Sequence, residues 1–245
     1  MLLTSAFLLS FLYPCVSAHG YIQQLLLGPN LVEAWNPYKD PQKNPPVNKI
    51  TRKFLDNGPV TDNAFLTDAI TCNYGAKGFA NNVPANISAK VAAGSKVTFF
   101  WTEWTSDHPG PIMTYLANCN GDCTKFSGST GNVWVKIHQA GYDSTLDPPW
   151  ASKRLPTQNS TWSVTLPAKL VAGEYILRHE ILGLQRTNTN GSLAQFYPSC
   201  NQISVTGSGT TALPAGVALP GAYKPDDTTS VSDGRMRGRM LNAKM

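Results

Sequence analysis

The sequence predicts an all-β protein, built as an antiparallel β-sandwich of two sheets. Glycine and proline are abundant, with 20 and 18 residues among 245, and the long Leu, Glu and Lys runs typical of helices are scarce. With 14% charged and 42% hydrophobic residues, the chain has enough apolar surface for a sizeable core and too little charge for disorder. Short β-type runs separated by turn signals follow one another, which is typical of a sandwich.

Residues 1–18, MLLTSAFLLSFLYPCVSA, have the pattern of a secretory signal peptide. An apolar stretch too short to cross a bilayer is followed by the small-residue exit Val16-Ser17-Ala18. A buried N-terminal strand or helix is the alternative, and Pro14 disfavours it. We therefore expect a secreted, extracellular protein whose mature chain begins at His19.

Residues 28–59, rich in Pro and Asn, predict a long loop. This loop carries Trp35 and Tyr38, which are either buried anchors or part of an exposed contact surface. Five later runs predict β-strands, at residues 96–101, 133–137, 161–166, 174–182 and 202–206. The domain is expected to span residues 19–223, and residues 224–245 are expected to form a divergent, mobile tail because they show no hydrophobic periodicity.

Cysteine usage agrees with secretion. Cys15 leaves with the signal, so four cysteines remain in the mature chain: Cys72, Cys119, Cys123 and Cys200. Four cysteines allow three pairings, and sequence alone does not choose among them. The short 119–123 spacing suits a local clasp, which leaves Cys72 with Cys200. A zinc site is the weaker alternative because no CxxC pair is present.

The surface of the mature protein is expected to carry N-linked glycans and to lack a nucleic-acid partner. Sequons occur at Asn86, Asn159 and Asn190. The formal net charge is +5, and Lys and Arg are scattered instead of forming a basic stripe. No stretch after residue 18 is apolar and long enough to span a bilayer, so no membrane partner is expected. The chain is expected to be a monomer.

An N-terminal histidine is the most informative feature of the mature chain. His19 would offer two nitrogens, its α-amine and its ring Nδ1, in a chelate that no internal residue can provide. One further imidazole would complete a set of three nitrogens with open positions, and such a set favours Cu(II). The alternative is that His19 is an ordinary residue near a cleavage site.

Other candidate ligands lie in distinct local contexts. His108 lies in DHPGPIMTYLANC, where the flanking prolines would stiffen the loop. His179 shares one strand face with apolar residues, a setting that also suits a core histidine. Gln195 and Tyr197, two apart in AQFYPSC, point the same way in an extended chain, either toward a metal or into a core.

Five motifs occur in one order: HGYI after the signal, DAITCN, HPGPIMTYLANC, GEYILRHEILGL and AQFYPSC. In this order they resemble the copper-dependent lytic polysaccharide monooxygenases of auxiliary activity family nine, the fungal cellulose-active group once classed as glycoside hydrolases. The resemblance runs from His19 to about Tyr223. It implies an immunoglobulin-like antiparallel β-sandwich with long loops and a flat active face.

The resemblance also implies a role for each matching side chain. His19 and His108 resemble the two arms of the copper-binding histidine brace of the family. Tyr197 matches the axial tyrosine at the metal. His179 and Gln195 match the pair that positions an oxygen species.

Cofactor and substrate follow from the same resemblance. It implies one copper ion per chain and oxidative cleavage of glycosidic bonds in insoluble cellulose, hemicellulose or related β-glucans, with dioxygen or hydrogen peroxide. Electrons would come from an external donor, such as a small-molecule reductant or a secreted dehydrogenase. Trp35 and Tyr38 are candidates for stacking on sugar rings, and Cys72–Cys200 matches the long disulfide of the family.

The chain departs from the family pattern at two places. A hydrolase and a non-catalytic binding protein are the two alternative functions. His138 stands where relatives more often carry an acidic residue, and we interpret it as a surface residue. The segment after PGAYKPDD, from residue 228 on, also differs from the family pattern. A hydrolase is disfavoured because Glu180 and Asp107 each adjoin a proposed site histidine and belong to no acid–base motif. The alternative function is a non-catalytic, secreted protein that binds copper and polysaccharide.

Overall fold

Nine β-strands stack in two sheets in the computed structural model, which describes residues 19–75, 80–187 and 194–224. The segments expected to be the signal, residues 1–18, and the tail, apart from Lys224, lie outside the described residues. The strands are β1 (Ile22–Leu27), β2 (Asn30–Glu33), β3 (Ala89–Ala92), β4 (Lys96–Trp101), β5 (Ile112–Asn118), β6 (Val135–Ala140), β7 (Thr161–Thr165), β8 (Gly173–Gly183) and β9 (Gln195–Thr206).

Helical structure in the described residues is limited to short pieces. There is one α-helix, α1 (Ala69–Cys72), and there are five 3-10 turns: Asp40–Gln42, Asp62–Leu66, Cys123–Lys125, Ser152–Arg154 and Pro156–Gln158. No helix in this part of the chain is long and apolar enough to cross a membrane.

The two sheets confirm the predicted sandwich. The smaller sheet has the order β2-β1-β4-β7, and the larger has the order β3-β9-β8-β5-β6. All neighbouring strands are antiparallel except β3 and β9, which run parallel. The expectation of antiparallel pairing is therefore wrong at this one edge of the larger sheet.

The main core lies between the sheets and follows from period-two alternation along the strands. In β4, Val97, Phe99 and Trp101 are buried while the residues between them are more exposed. Their side chains belong to one apolar cluster with Leu177 and Ile181 of β8. The inner face of each sheet is thereby removed from water.

The outer face of the larger sheet is covered as well, by a second apolar cluster that includes Ile70 of α1. Arg178 of β8 lies on this side and is fully buried. Its guanidinium donates to the carbonyl oxygens of Thr71, at 2.7 Å, and Ile70, at 2.8 Å, and pairs with Glu180. These contacts hold α1 against β8, so β8 is buried on both faces from Tyr175 onward.

Both disulfides of the sequence prediction are confirmed. Cys72–Cys200 joins the end of α1 to the middle of β9, and Cys119–Cys123 closes the loop that follows β5. The long bridge therefore fastens the covering layer to the larger sheet.

The strand predictions are confirmed to different degrees. The predicted run 96–101 matches β4, and the runs at 133–137, 161–166 and 174–182 overlap β6, β7 and β8. β9 begins at Gln195, earlier than the predicted 202. The prediction of a long loop over residues 28–59 is wrong in part, because this segment contains β2, which pairs with β1, and the 3-10 turn Asp40–Gln42.

Two of the three predicted glycosylation sites lie among the described residues. Asn86 and Asn159 lie at exposed positions, and Asn190 lies outside the described residues. Glycosylation at all three stays a prediction.

The two disulfides should differ in their contribution to stability. Replacing Cys72 and Cys200 together by Ala should lower the free energy of unfolding by about 4–5 kcal/mol, and replacing Cys119 and Cys123 together should lower it by about 2 kcal/mol. The reason is that the bridges close loops with sequence separations of 128 and 4 residues, and the longer loop restricts the unfolded chain more. Urea unfolding of the two double variants checks this, and equal losses would contradict it.

Candidate metal centre

Three aromatic side chains meet at one end of the sandwich: His19, His108 and Tyr197. The ring centroids of His19 and His108 are 5.8 Å apart, and their planes are 83° from each other. The Tyr197 ring lies 5.9 Å from His19 and 6.4 Å from His108. Trp104 packs beneath them, with its ring 5.0 Å from Tyr197. The sequence prediction that these three residues come together is thus consistent with the geometry.

His19 is placed by close packing just before β1. The Tyr21 amide donates to Thr102 Oγ1 at 3.1 Å, and the Thr102 amide donates to the Tyr21 carbonyl at 2.8 Å. A Cβ on Gly20 would lie 2.9 Å from Thr102 Oγ1 and 3.0 Å from Trp104 Cε3, so glycine is needed for this approach. The His19 ring is consequently held half-buried beside His108.

His108 is placed by a loop that continues the pairing of the larger sheet. The Leu184 amide donates to the Pro109 carbonyl at 2.8 Å, and the Leu182 amide donates to the Pro111 carbonyl at 3.0 Å. A Cβ on Gly110 would lie 1.7 Å from the Leu182 carbonyl oxygen, which excludes any other residue without movement of the backbone. The predicted stiff loop therefore exists, and it is fixed by β8 as well as by its prolines.

Asp107 determines which ring nitrogen of His108 is available. Its Oδ1 lies 2.7 Å from His108 Nδ1. The hydrogen bond from the Thr105 hydroxyl, together with the one from His108, lowers the pKa of the Asp107 carboxyl, so this group accepts at neutral pH. Because the carboxylate accepts, Nδ1 carries the proton, and the lone pair of Nε2 is left for a ligand.

Tyr197 is joined to two glutamines. Its hydroxyl donates to Gln195 Oε1 at 2.8 Å, and Gln185 Nε2 donates to the same oxygen. Burial, with a smaller contribution from the charge of Asp107, raises the pKa of Tyr197, so the phenol is neutral at physiological pH. The predicted pairing of Gln195 with Tyr197 is consistent with these contacts.

Gln185 is a site residue that sequence reasoning missed. It lies two residues beyond the end of β8, and Gly183, the last residue of that strand, pairs with Gln195. Period-two alternation continued past the strand end would have placed Gln185 on the face of Ile181, the partner of Tyr197. Its Oε1 is buried and has no hydrogen-bond partner among the described residues.

His179 does not lie at this centre, and the prediction that it assists Gln195 is wrong. It pairs with Ser199, two residues deeper into the sheet than the Ile181–Tyr197 pair, which is roughly 7 Å along the strand. Its ring is fully buried, stacks on Phe99 at 3.9 Å, and bonds Thr114 Oγ1 through Nδ1 at 2.8 Å. The strand face was predicted correctly, but the depth along the strand was not.

The interpretation of His138 as a surface residue is also corrected. His138 is half-buried, and Trp162 Nε1 donates to its Nε2 at 3.1 Å. Burial lowers the pKa of the imidazole. His138 therefore caps the buried edge of Trp162, and its Nε2 is not offered to solvent.

The two aromatic residues proposed for the substrate face behave differently. Trp35 is only 4% exposed, and its Nε1 donates to the Phe54 carbonyl at 3.0 Å, so its predicted role in stacking on sugar is wrong. Tyr38 is 50% exposed, with its ring 6.2 Å from that of Tyr21. Tyr38 therefore remains a candidate for substrate contact.

The carboxylates of Asp107 and Glu180 do not form an acid–base pair. Glu180 is fully buried in its ion pair with Arg178, whereas the Asp107 side chain is 72% exposed and bonded to His108. A hydrolase of the two-carboxylate type needs both groups to face one scissile bond. The arrangement of these two carboxylates therefore argues against a hydrolase of this type.

The donor chemistry of the centre fits a copper ion better than a hard or sulfur-seeking metal. Among the described residues, no group of three or more His, Cys, Asp or Glu could hold a metal. The centre instead offers two imidazoles near a neutral phenol, and imidazole nitrogens suit borderline metals such as copper. His19 and His108 are thus the side chains that could hold the ion.

Comparisons with known proteins agree on one family. The model of Auxiliary Activity family 9 (formerly GH61) matches residues 19–235. The chain is 43% identical over 215 residues to AA9 family lytic polysaccharide monooxygenase B of Gloeophyllum trabeum, with 85% of this chain and 82% of that protein covered. It is 40% identical over 229 residues to the protein named AA9 family lytic polysaccharide monooxygenase B of Geotrichum candidum, with 93% of this chain and 60% of that one covered.

A solved structure supports the fold. The extended catalytic domain of LPMO9A of H. jecorina superposes with a TM-score of 0.77 and 35% identity, covering 93% of this chain and 88% of that chain. Several relatives are longer proteins. The chain spans 60% and 38% of two Geotrichum candidum relatives and 65% of one from Gloeophyllum trabeum.

The buried position of His179 should make stability depend on pH. Burial, with the nearby His138 and Arg178, lowers the pKa of His179, so the folded chain leaves it neutral where the unfolded chain protonates it. Stability is therefore lost as pH falls below about 6.5, by up to about 1.4 kcal/mol per pH unit. His179→Phe, which keeps a ring against Phe99, should remove this component.

Urea unfolding of wild type and His179→Phe at several pH values between 4.5 and 7.5 measures the effect. The difference in free energy of unfolding between the two chains should change steadily below pH 6.5. Parallel pH profiles would contradict the assignment of a neutral, buried His179.

Proposed function

Because the chain belongs to Auxiliary Activity family 9, we propose that it is a copper-dependent lytic polysaccharide monooxygenase that cleaves cellulose or related β-glucans oxidatively. The observation that carries the proposal is the near-perpendicular pair of imidazoles, His19 and His108, beside the phenol of Tyr197. Removal of residues 1–18 would add the α-amine of His19 to this set.

The copper site would be formed by His19, through its α-amine and Nδ1, and by His108 through Nε2. Asp107 supports this because its carboxylate holds the proton of His108 on Nδ1. Copper, when bound, supplies the redox chemistry that activates dioxygen or hydrogen peroxide. One ion per chain is proposed, reduced by a small-molecule reductant or a secreted dehydrogenase.

The polar residues beside the copper ligands would orient the reactants. Tyr197 stays a neutral phenol because of its burial. The oxygen of Gln195 accepts from both Tyr197 and Gln185. Its amide nitrogen is therefore the group with which Gln195 can donate a hydrogen bond to an oxygen species.

Substrate would approach the exposed end of the sandwich. An insoluble polymer cannot enter a deep cavity, but it can lie across a surface on which His19 is half-exposed. Tyr38, half exposed near Tyr21, offers a ring on which a sugar can stack. We propose a secreted, glycosylated monomer acting on insoluble polysaccharide, with no membrane or nucleic-acid partner.

Product analysis tests the activity. Copper-loaded chain beginning at His19 should release oxidised oligosaccharides from swollen cellulose when a reductant is supplied, as measured by mass spectrometry. No product should form without reductant, because oxidative cleavage needs electrons that hydrolysis does not. His108→Ala should abolish the products in the same assay.

The control outcomes separate the competing functions. Unoxidised oligosaccharides formed without reductant would indicate a hydrolase. Copper and cellulose binding without any oxidised product would indicate the non-catalytic binding protein, and either result would overturn the proposed enzyme.

Gln185 should contribute to turnover without holding the metal. Gln185→Leu removes one of the two hydrogen bonds that Gln195 Oε1 accepts, so the Gln195 amide is held only by Tyr197 and is less firmly oriented. We expect a roughly tenfold loss in the rate of product formation, the order of one hydrogen bond, with copper affinity unchanged. Gln139→Leu, at an exposed position on β6, is the matched control and should retain wild-type rates. Equal rates for Gln185→Leu and wild type would contradict the role.

A further inference from the structure

Asn57 lies directly beside the proposed N-terminal ligand, on the loop before the buried Val60. Its side-chain Nδ2 donates to the main-chain carbonyl oxygen of His19 at 3.1 Å. The contact is with the backbone of His19, so it acts on the position of the whole residue. No sequence motif singled out Asn57, because it is separated from His19 by 38 residues.

The Tyr38 hydroxyl fixes the orientation of Asn57. It accepts from the Asn57 backbone amide at 3.2 Å and donates to Asn57 Oδ1 at 2.7 Å. The backbone amide can only donate, so the hydroxyl proton is directed to Oδ1. With Oδ1 occupied by Tyr38, the amide nitrogen of Asn57 must face His19.

Other anchors of the segment act one to two residues further along the chain. Thr102 binds the amide and carbonyl of Tyr21, and Gly20 packs against Thr102 and Trp104. An N-terminal residue has no preceding chain to restrain it, so rotation of the whole planar His19–Gly20 peptide unit would move both nitrogens of a chelate. The bond from Asn57 restrains this rotation at the His19 carbonyl.

We propose that Asn57 is a positioning residue of the metal centre and that the Tyr38 hydroxyl holds it in place. This inference rests on the proposed function, in which His19 binds copper through its α-amine and ring. Pre-positioning the His19 backbone lowers the entropy lost when the chelate closes on the ion. The same tyrosine exposes its ring on the proposed substrate face, so one side chain serves the metal ligand and the polysaccharide surface.

Copper affinity and metal-free dynamics together test the inference. In the full chain beginning at His19, Asn57→Ala should bind Cu(II) about tenfold more weakly, the low end for loss of a hydrogen bond that orients a ligand. Tyr38→Phe, which keeps the ring, should weaken binding in the same direction. Because both act through one contact, the double variant should bind no more weakly than Asn57→Ala alone.

The metal-free readout is independent of copper. Hydrogen exchange at the Gly20 and Tyr21 amides should be faster in Asn57→Ala and Tyr38→Phe than in wild type, because the segment is less restrained. The matched control is Asn132→Ala, at an exposed position in the loop before β6, which should leave exchange and affinity unchanged. Melting temperatures establish that the variants are folded. If Asn57→Ala does not fold, the same measurements on Tyr38→Phe test the inference.

Each outcome has a distinct meaning. Unchanged copper affinity and unchanged exchange in the folded variants overturn the positioning role while leaving the proposed function intact. Additive losses of affinity overturn the link between Tyr38 and Asn57. If wild type itself fails to bind Cu(II), the proposed function fails, and unchanged exchange in the variants would then overturn the restraint on His19 as well.

Discussion

The register between β8 and β9 is the constraint on which the candidate site depends. It pairs Gly183 with Gln195 and Ile181 with Tyr197, which brings the phenol and the amide to one end of the larger sheet. At the same end, the amides of Leu182 in β8 and of Leu184 just beyond it donate to the loop that carries His108. Tyr197 of β9 and His108 of a separate loop are thereby both positioned by β8.

This register cannot slip without large cost. A shift by one residue would turn Tyr197 to the opposite face of the sheet, and both faces are packed. The Cys72–Cys200 bridge and the bonds from Arg178 to the carbonyls of α1 fasten the outer layer to β8 and β9. The stability of the covered sheet is therefore what keeps the rings of the site within reach of each other.

Family resemblance, together with local pattern, predicted part of the site, and both missed what depends on depth along the strands. His108 and Tyr197 are assigned to the site by resemblance to the family, and the rigidity and alternation of their short motifs agree with that assignment. Alternation gave the correct face for His179 but could not say that it lies deeper than Tyr197, between the sheets. Gln185 lies past the end of its strand, where the pattern has stopped. Trp35 shows the same limit, since burial of a loop aromatic depends on which distant residues fold over it.

In the proposed function, His19 must be the first residue of the chain to complete the copper site with His108. The most direct test compares Cu(II) affinity for the chain beginning at His19 with that of the same chain retaining Ala18 in front of it. Placing the His19 nitrogen in a peptide bond removes one ligand, so the longer chain should bind copper more than about 100-fold more weakly, beyond the usual effect of losing an orienting contact. Equal affinity of the two chains would contradict the account.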